Sequence, residues 1–362
     1  MSMSIVSSRQ ELSTQSRGRG ANINPANRFE ALHYEVEDWC EPEAETPRIR
    51  TQFFRDDSQS LISYNNSPDV GFDASLNPYR GCEHGCAYCY ARPTHEYLGF
   101  SAGTDFESRI LTKPNAAELL AAELGRRSWT PQNLALSGVT DAYQPIERKL
   151  QITRSCLRVL AEFRNPVIVI TKNHLVTRDA DYLRELARFN ASAVSLSITT
   201  LDSNLARILE PRASSPSQRM DAISRLHEAG IPVGVNAAPI IPGINEHEIP
   251  SITAMAAKAG AQFASYTMVR LPLAVAPIFV AWLERYFPDR KEKVLGRIRL
   301  MRNGKLNNSD FNARMRGHGP MAEQVCQMFH VSCRRVGLNR ERIELSTAAF
   351  RRVLPNQTEL AL

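Results

Sequence analysis

The sequence lacks an uninterrupted apolar run of membrane-spanning length, and residues 1–20 lack the apolar segment of a secretory signal peptide. It also lacks the evenly spread cysteines of a disulfide framework, because three of its seven cysteines fall within eight residues. These absences argue against a membrane partner and against a secreted, disulfide-stabilised domain. They predict a cytoplasmic protein in a reducing compartment.

The composition is that of a globular protein, with 43% apolar and 23% charged residues in a chain of 362. This length suits one large domain with extensions. Residues 285–352 hold 16 Lys/Arg and 6 Asp/Glu, a net +10, which leaves the remainder at 28 minus 32, or −4. Such a basic excess is typical of proteins that bind nucleic acid or another polyanion. Arginine-rich solvated faces and helix-end cations would produce the same excess, so both interpretations stay open.

Short apolar strands alternate with amphipathic helices through the central part of the chain. Strands are predicted at residues 72–79, 134–138, 167–171, 193–198, 231–238 and 263–269. This alternation predicts an α/β fold with a parallel sheet, either closed like a barrel or open and doubly wound. We expect three parts: an irregular N-terminal arm over 1–70, the α/β domain over 71–270, and a basic, mostly helical region over 271–362.

Polar residues follow successive predicted strands at the point where each strand ends. The clusters are residues 137–141, 171–172, 197–200 and 236–239. Ligands of parallel α/β proteins bind at the C-terminal ends of strands, so these clusters predict one shared pocket. Each cluster taken alone is also ordinary turn chemistry.

Three cysteines lie in one short loop directly after the first predicted strand. Cys82, Cys86 and Cys89 have the spacing C-x3-C-x2-C, with no fourth cysteine nearby. This pattern favours an iron-sulfur cluster bound at three irons and open at the fourth. The alternative is a zinc site that adds His84, but structural zinc usually draws its ligands from two well-separated pairs.

Two segments of the sequence resemble a known family. They are the cysteine loop, with Tyr88 and Tyr90 around its last cysteine, and the later segment Thr140-Asp141-x-Tyr143-Gln144-Pro145. Together they resemble the radical S-adenosylmethionine (SAM) superfamily, in its spore photoproduct lyase-like branch, related to DNA repair photolyases. The resemblance implies a partial (β/α)6 TIM-like barrel and a [4Fe-4S] cluster whose open iron binds SAM. It further implies an electron donor such as flavodoxin or ferredoxin, and a 5′-deoxyadenosyl radical that abstracts hydrogen from the substrate.

The resemblance also assigns roles to individual residues. It implies that the three cysteines bind the cluster, and that Tyr88 and Tyr90 relay a hydrogen atom. The residues expected to bind SAM are Thr140 and Asp141 for the amino group, Lys172 for the carboxylate, Ser197 and Thr199 for the ribose or carboxylate, and Arg212 in the same pocket. Each of these side chains also has a purely structural interpretation, as a cluster-packing aromatic, a strand-end cation or a turn residue.

One departure from the branch bears on the substrate. Spore photoproduct lyase uses a cysteine near the end of strand two as hydrogen donor, and residues 137–141 contain none. We therefore predict a radical SAM enzyme with an unidentified substrate, for which nucleic acid is one candidate. The alternatives are a non-catalytic iron-sulfur electron carrier or sensor, and a nucleic-acid-binding protein that uses its basic C-terminal region. Cys40, Cys156, Cys326 and Cys333 are interpreted as ordinary cysteines.

Overall fold

The computed structural model describes residues 18–29 and 49–353, so Cys40 lies outside the described residues. The strands are β1 (Gln52–Arg55), β2 (Ile62–Tyr64), β3 (Ala74–Leu76), β4 (Tyr79–Arg80), β5 (Arg109–Thr112), β6 (Leu134–Leu136), β7 (Val167–Thr171), β8 (Ser192–Ser197), β9 (Val233–Ile240) and β10 (Phe263–Met268).

The α-helices surround and extend this sheet. They are α1 (Asp105–Ser108), α2 (Ala116–Gly125), α3 (Glu147–Leu150), α4 (Ile152–Phe163), α5 (Ala180–Ala187), α6 (Ser203–Leu209), α7 (Pro216–Glu228), α8 (Ile249–Lys258), α9 (Val275–Tyr286), α10 (Lys291–Leu300), α11 (Ala313–Arg316) and α12 (Gly319–Val336). Short 3-10 turns occupy Arg92–Leu98, His174–Asp179, Glu246–Glu248 and Pro288–Arg290. None of the described helices is both long and apolar enough to traverse a bilayer.

The main sheet confirms the predicted α/β fold and its strand order. Six parallel strands lie side by side in chain order, β3-β6-β7-β8-β9-β10, and β2 adds an antiparallel edge strand beside β3. Within the described residues β10 and β2 do not pair with each other, so the sheet is open, as a partial barrel requires. Every residue of β8 is buried, as expected for a strand in the middle of a parallel sheet that is covered on both faces.

Local sequence sets where the barrel helices begin. Ser215 and Gln218 form a reciprocal capping box at the start of α7, and Pro216 occupies its first turn. The side chain of Asp202 caps α6 by accepting hydrogen bonds from the backbone N–H groups of Asn204 and Leu205. These caps fix the chain direction immediately after β8 and before β9, which positions the loops at the C-terminal edge of the sheet.

A second, three-stranded sheet was missed by sequence reasoning. It has the order β1-β5-β4 and lies beside the cysteine loop, which begins where β4 ends. Strands β1 and β2 fall within the predicted N-terminal arm, so part of that arm is regular structure. Neither strand shows the alternation of buried and exposed residues that predicts a strand. All four residues of β1 are exposed, so backbone pairing with β5, and not a buried face, holds β1 in place.

The C-terminal helices pack at two separate places. Residues of α9 and α10 share an apolar core with Cys86, Ala87 and Tyr88 of the cysteine loop. Helix α12 instead joins the main barrel core, where Phe329 lies 4.7 Å from the Tyr266 ring of β10. The division of the chain into three domains stays a prediction, but α9 and α10 cover the face of the barrel that carries the cysteine loop.

Candidate active site

The three cysteines lie on one buried loop at the C-terminal edge of the sheet. Cys82 and Cys86 are 7% and 8% exposed, and Cys89 is partly buried. The loop is fixed by backbone hydrogen bonds from Cys82 N to Phe106 O (2.8 Å) and from Ala87 N to Leu209 O (3.1 Å). All three are free thiols, so each is available as a ligand.

The donor set suits an iron-sulfur cluster. Burial raises the pKa of all three thiols, so their thiolates require the positive charge of a bound metal. Three thiols on one loop also match the soft, thiolate-rich ligand set that iron-sulfur clusters prefer.

The zinc alternative fits the arrangement less well. Among the described residues no three Cys, His, Asp or Glu side chains are placed so that they could share one metal ion. His84, the fourth ligand of that alternative, lies with Nδ1 3.4 Å from Asp141 Oδ2 and Nε2 3.2 Å from Asn173 Nδ2. A mononuclear zinc site needs four ligands around one ion, whereas each thiolate of a cluster binds a different iron.

A buried ion pair supports the loop from behind. Arg92 donates to the backbone oxygens of Cys86, Ala102 and Gly103 and pairs with Glu107; both charged side chains are fully buried. The carboxylate of Glu107 also accepts from Gly20 N at 3.0 Å and Ala21 N at 2.8 Å. The N-terminal segment 18–29 is thus attached to the cysteine loop, an arrangement that no sequence signal indicated.

The contact between that segment and the loop is very close. A Cβ atom placed on Gly20 would lie 1.6 Å from Gly85 O, so only glycine fits there. Gly85 itself has a φ of +66°, and a Cβ on it would lie 2.7 Å from Glu107 Oε2. These two glycines allow the N-terminal segment to approach the loop between Cys82 and Cys86.

Asp141 is placed beside the loop, but its carboxylate is already fully engaged. Its oxygens accept from Tyr143 N (2.9 Å), Thr171 Oγ1 (2.7 Å) and Lys172 N (2.8 Å). Although burial acts against ionisation, His84 and these donors hold the pKa of Asp141 at about 2. Thr140 likewise directs its hydroxyl to Tyr79 O at 2.9 Å. Both contacts support a positioning role, so binding of the SAM amino group by these two side chains stays a prediction.

Tyr88 belongs to a buried polar network that sequence reasoning missed. Its hydroxyl donates to Glu210 and lies 3.2 Å from Thr199 Oγ1, and Glu210 also pairs with Arg219. Burial opposes the charge of Glu210, yet Arg219 and Lys172 keep its pKa below the usual value. Thr199 donates to Ala238 O at 2.9 Å, which links β8 to β9. Within the segment Glu210-Pro211-Arg212 the sequence predicts a role for the arginine, whereas the buried side chain that contacts Tyr88 is the glutamate.

Tyr90 has a different environment from Tyr88. It is 49% exposed, its hydroxyl donates to Gly138 O at 2.8 Å, and the Arg270 guanidinium lies 5.3 Å from its ring centroid. Gly138 follows β6 and Arg270 follows β10. Tyr90 therefore lies across the mouth of the partial barrel.

Lys172 and Ser197 have polar groups available to a ligand. Lys172 Nζ lies 5.9 Å from the Tyr88 ring centroid and forms no ion pair within the described part of the chain. Ser197 is buried at the end of β8, where its carbonyl accepts from Arg219 Nη1 at 2.9 Å. Its hydroxyl makes no hydrogen bond to any residue in 18–29 or 49–353. Arg212 instead directs its guanidinium to Glu83 (3.2 Å) and Thr51 (3.1 Å), so a role in SAM binding stays a prediction.

Comparison with known proteins identifies the arrangement. Residues 76–256 match the sequence model of the Radical SAM superfamily. An uncharacterized protein of Mycobacterium tuberculosis is 33% identical over 232 residues, which cover 64% of this chain and 68% of that protein. A Radical SAM Nalpha-GlyT isomerase of Pseudomonas phage M6 is 26% identical over 218 residues, covering 60% and 43% of the two chains.

A solved structure has the same fold. Spore photoproduct lyase complexed with dinucleoside spore photoproduct superimposes with a TM-score of 0.55 at 15% identity, covering 79% of this chain and 80% of the lyase. At this level of identity the likeness concerns the fold alone.

Proposed function

This chain belongs to the radical SAM superfamily, and we propose that it binds a [4Fe-4S] cluster through Cys82, Cys86 and Cys89 and cleaves SAM reductively. When bound, the cluster and SAM supply a 5′-deoxyadenosyl radical that abstracts a hydrogen atom from the substrate. The observation that carries the proposal is the set of three free thiols on one loop, two of them buried and the third partly buried. An acidic redox protein such as flavodoxin or ferredoxin is the class of electron donor that this chemistry needs.

The chain's own residues would bind and orient SAM. Lys172, a cation without an ion-pair partner among the described residues, would bind a carboxylate by a charge-assisted hydrogen bond. The hydroxyl of Ser197, at the end of β8, would accept a hydrogen bond from SAM or donate one to it. The network of Glu210, Arg219 and Thr199 would hold Tyr88 and the loop in position without contacting the ligand.

The two tyrosines would have separate roles. Tyr88 is buried, and its hydroxyl proton is engaged by Glu210, which supports a positioning role. Tyr90 lies at the mouth and is open to a substrate, so we propose Tyr90 as the residue that relays a hydrogen atom. Helices α9 and α10, which pack on the cysteine loop, would help to exclude water from this chemistry.

We further propose a nucleotide-based substrate. The lyase with the same fold is complexed with a dinucleoside, and the C-terminal region of this chain carries a net positive charge. Residues 137–141 contain no cysteine, so the lyase's own repair route, with a cysteine donor at that place, is not part of the proposal.

Anaerobically reconstituted protein provides the test. With dithionite and SAM, the wild type is expected to release 5′-deoxyadenosine, and Cys86→Ala is expected to lose both the cluster absorbance and the product. Cys326→Ala, a cysteine on α12 away from the loop, is the matched control and should keep both. Product formation that survives Cys86→Ala would refute the site. A cluster that cycles between redox states without any spectral response to SAM would favour the electron carrier instead.

A further inference from the structure

A group of arginines lies at the mouth of the barrel, where β10 ends. Arg270 follows β10, and the pKa of its guanidinium is lowered by burial and by the nearby charge of Arg314. Burial and the charge of Arg270 in turn lower the pKa of Arg302 to about 10. The acidic residue that acts on Arg270 among the described residues is Asp69. These three guanidinium groups lie close together, and the carboxylate that acts on Arg270 is also the ion-pair partner of Arg314.

The partners of these arginines differ. Arg302 is nearly fully buried and donates to Ala313 O (2.7 Å) and Val269 O (2.9 Å), which is a structural role. Arg314 pairs with Asp69 at 2.5 Å. Arg270 makes no ion pair within the described residues, and its one hydrogen bond there is to the thioether of Met315 at 3.6 Å.

The guanidinium of Arg270 therefore retains donors that no described acceptor satisfies. Its Nε is buried without a hydrogen-bond partner. A partly buried charged donor without an acceptor destabilises the folded state, and a bound anion would relieve this penalty. The site is also adjacent to the proposed chemistry, because the same guanidinium lies 5.3 Å from the ring of Tyr90.

We infer that Arg270 binds a phosphate group of the substrate at the barrel mouth, beside Tyr90, an inference that rests on the function proposed above. A guanidinium matches the oxygens of a phosphate in geometry and charge better than an ammonium does. Arg314 and Arg302 add positive potential at the same place, which attracts a dianionic or polyanionic group. The source of the phosphate is either a nucleic-acid backbone or a small phosphate ester.

The full-length protein with its reconstituted cluster and SAM is used for the test. The probes are a fluorescein-labelled single-stranded deoxythymidine decamer, the same decamer with an uncharged methylphosphonate backbone, and inorganic phosphate. Arg270→Gln is compared with wild type and with Arg335→Gln, an exposed arginine of α12. Thermal unfolding and cluster absorbance are measured for Arg270→Gln to check that the variant is folded and carries its cluster.

Wild type and Arg335→Gln are expected to bind the charged decamer alike, and Arg270→Gln to bind it about tenfold more weakly. Loss of one phosphate contact should also lower the slope of log K against log[salt] by about 0.7. The methylphosphonate decamer should bind weakly and equally to all three. If inorganic phosphate stabilises wild type but not Arg270→Gln, and no protein binds the decamer, the phosphate comes from a small ester.

Two results would overturn the inference. One is binding of the charged decamer and of inorganic phosphate that is unchanged in Arg270→Gln. The other is Arg270-dependent binding of a hexaglutamate peptide with no binding of either phosphate probe, which would assign the site to carboxylates. Cleavage of SAM by wild type is measured without any probe, so its failure would refute the proposed function while the phosphate binding is judged separately.

Discussion

Substitution of Glu107 by alanine should destabilise the protein and loosen the cysteine loop. Glu107 is fully buried, pairs with the fully buried Arg92, and accepts the backbone N–H groups of Gly20 and Ala21. Its removal leaves the guanidinium of Arg92 buried without a counter-charge. It also removes the two hydrogen bonds by which the Glu107 carboxylate holds Gly20 and Ala21 against the loop that carries the three cysteines.

The expected cost follows from the burial of both partners. Breaking a buried ion pair by removing one partner typically costs about 3–5 kcal/mol, and two buried backbone donors lose their acceptor as well. Domains are usually stable by only about 5–15 kcal/mol, so the loss is a large fraction of the total. Arg92 still donates to three backbone oxygens, which should keep the loop from unfolding completely.

Urea unfolding and iron content after anaerobic reconstitution measure the two effects. Glu107→Ala should shift the unfolding midpoint to clearly lower urea and bind substoichiometric iron, whereas Glu107→Gln should lie between it and wild type. Glu162→Ala is the matched control, because Glu162 pairs with Arg158 on the surface and should cost no more than about 1 kcal/mol. A midpoint for Glu107→Ala equal to that of the control, with full iron content, would refute the role assigned to this ion pair.

Three further predictions concern the two tyrosines, Lys172, and His95, a fully buried residue of the 3-10 turn Arg92–Leu98. Tyr90→Phe should change the free energy of unfolding by no more than about 0.5 kcal/mol but abolish turnover of the substrate. Tyr88→Phe should lower the free energy of unfolding by about 1–3 kcal/mol, because it removes the hydroxyl that donates to buried Glu210. Lys172→Gln should raise the KM for SAM about tenfold with cluster content unchanged, as measured by 5′-deoxyadenosine release. Burial lowers the pKa of His95 from 6.5 to about 4. Between pH 6.5 and 4 the unfolded chain therefore binds a proton that the folded state does not bind. The free energy of unfolding should fall by about 1.4 kcal/mol for each unit by which the pH is lowered across this range.

Each of these has a contrary outcome that can be measured. Equal turnover of Tyr90→Phe and wild type would remove Tyr90 from the chemistry. An unchanged KM in Lys172→Gln, the same as in the exposed control Lys258→Gln, would remove Lys172 from SAM binding. His95→Phe should flatten the decline in unfolding free energy between pH 6.5 and 4, and an unchanged decline would assign it to other groups.

The sequence predicted the barrel well because its signals are local. The strand of residues 167–171 has an unbroken β-branched run, and the structure confirms it as Val167–Thr171. All six predicted parallel strands occur, in chain order within the sheet. The small sheet was missed because the sequences of β1 and β5, QFFR and RILT, do not alternate between apolar and polar residues. Their pairing depends on which segments the folded chain brings side by side.

In the candidate site, too, the features that the sequence predicts are local ones. Its cysteine spacing is a pattern within eight residues, and the family comparison bears out the resemblance drawn from it. The contacts between Glu107 and Gly20, or between Glu210 and Tyr88, join residues 87 and 122 positions apart, and no local pattern encodes such pairs. The same holds for Arg270, which is one basic residue among many until the fold places it against Tyr90.

By itself, the sequence determined the class of fold, the cysteine loop and the superfamily, because periodicity and motif spacing act over short distances along the chain. Only the tertiary structure decided that Tyr88 is buried against Glu210 while Tyr90 faces the mouth, although the two residues are separated by a single cysteine. The burial of a side chain and the charges around it depend on what distant segments pack against it. Those two quantities, and not residue type, distinguish the environments of the two tyrosines.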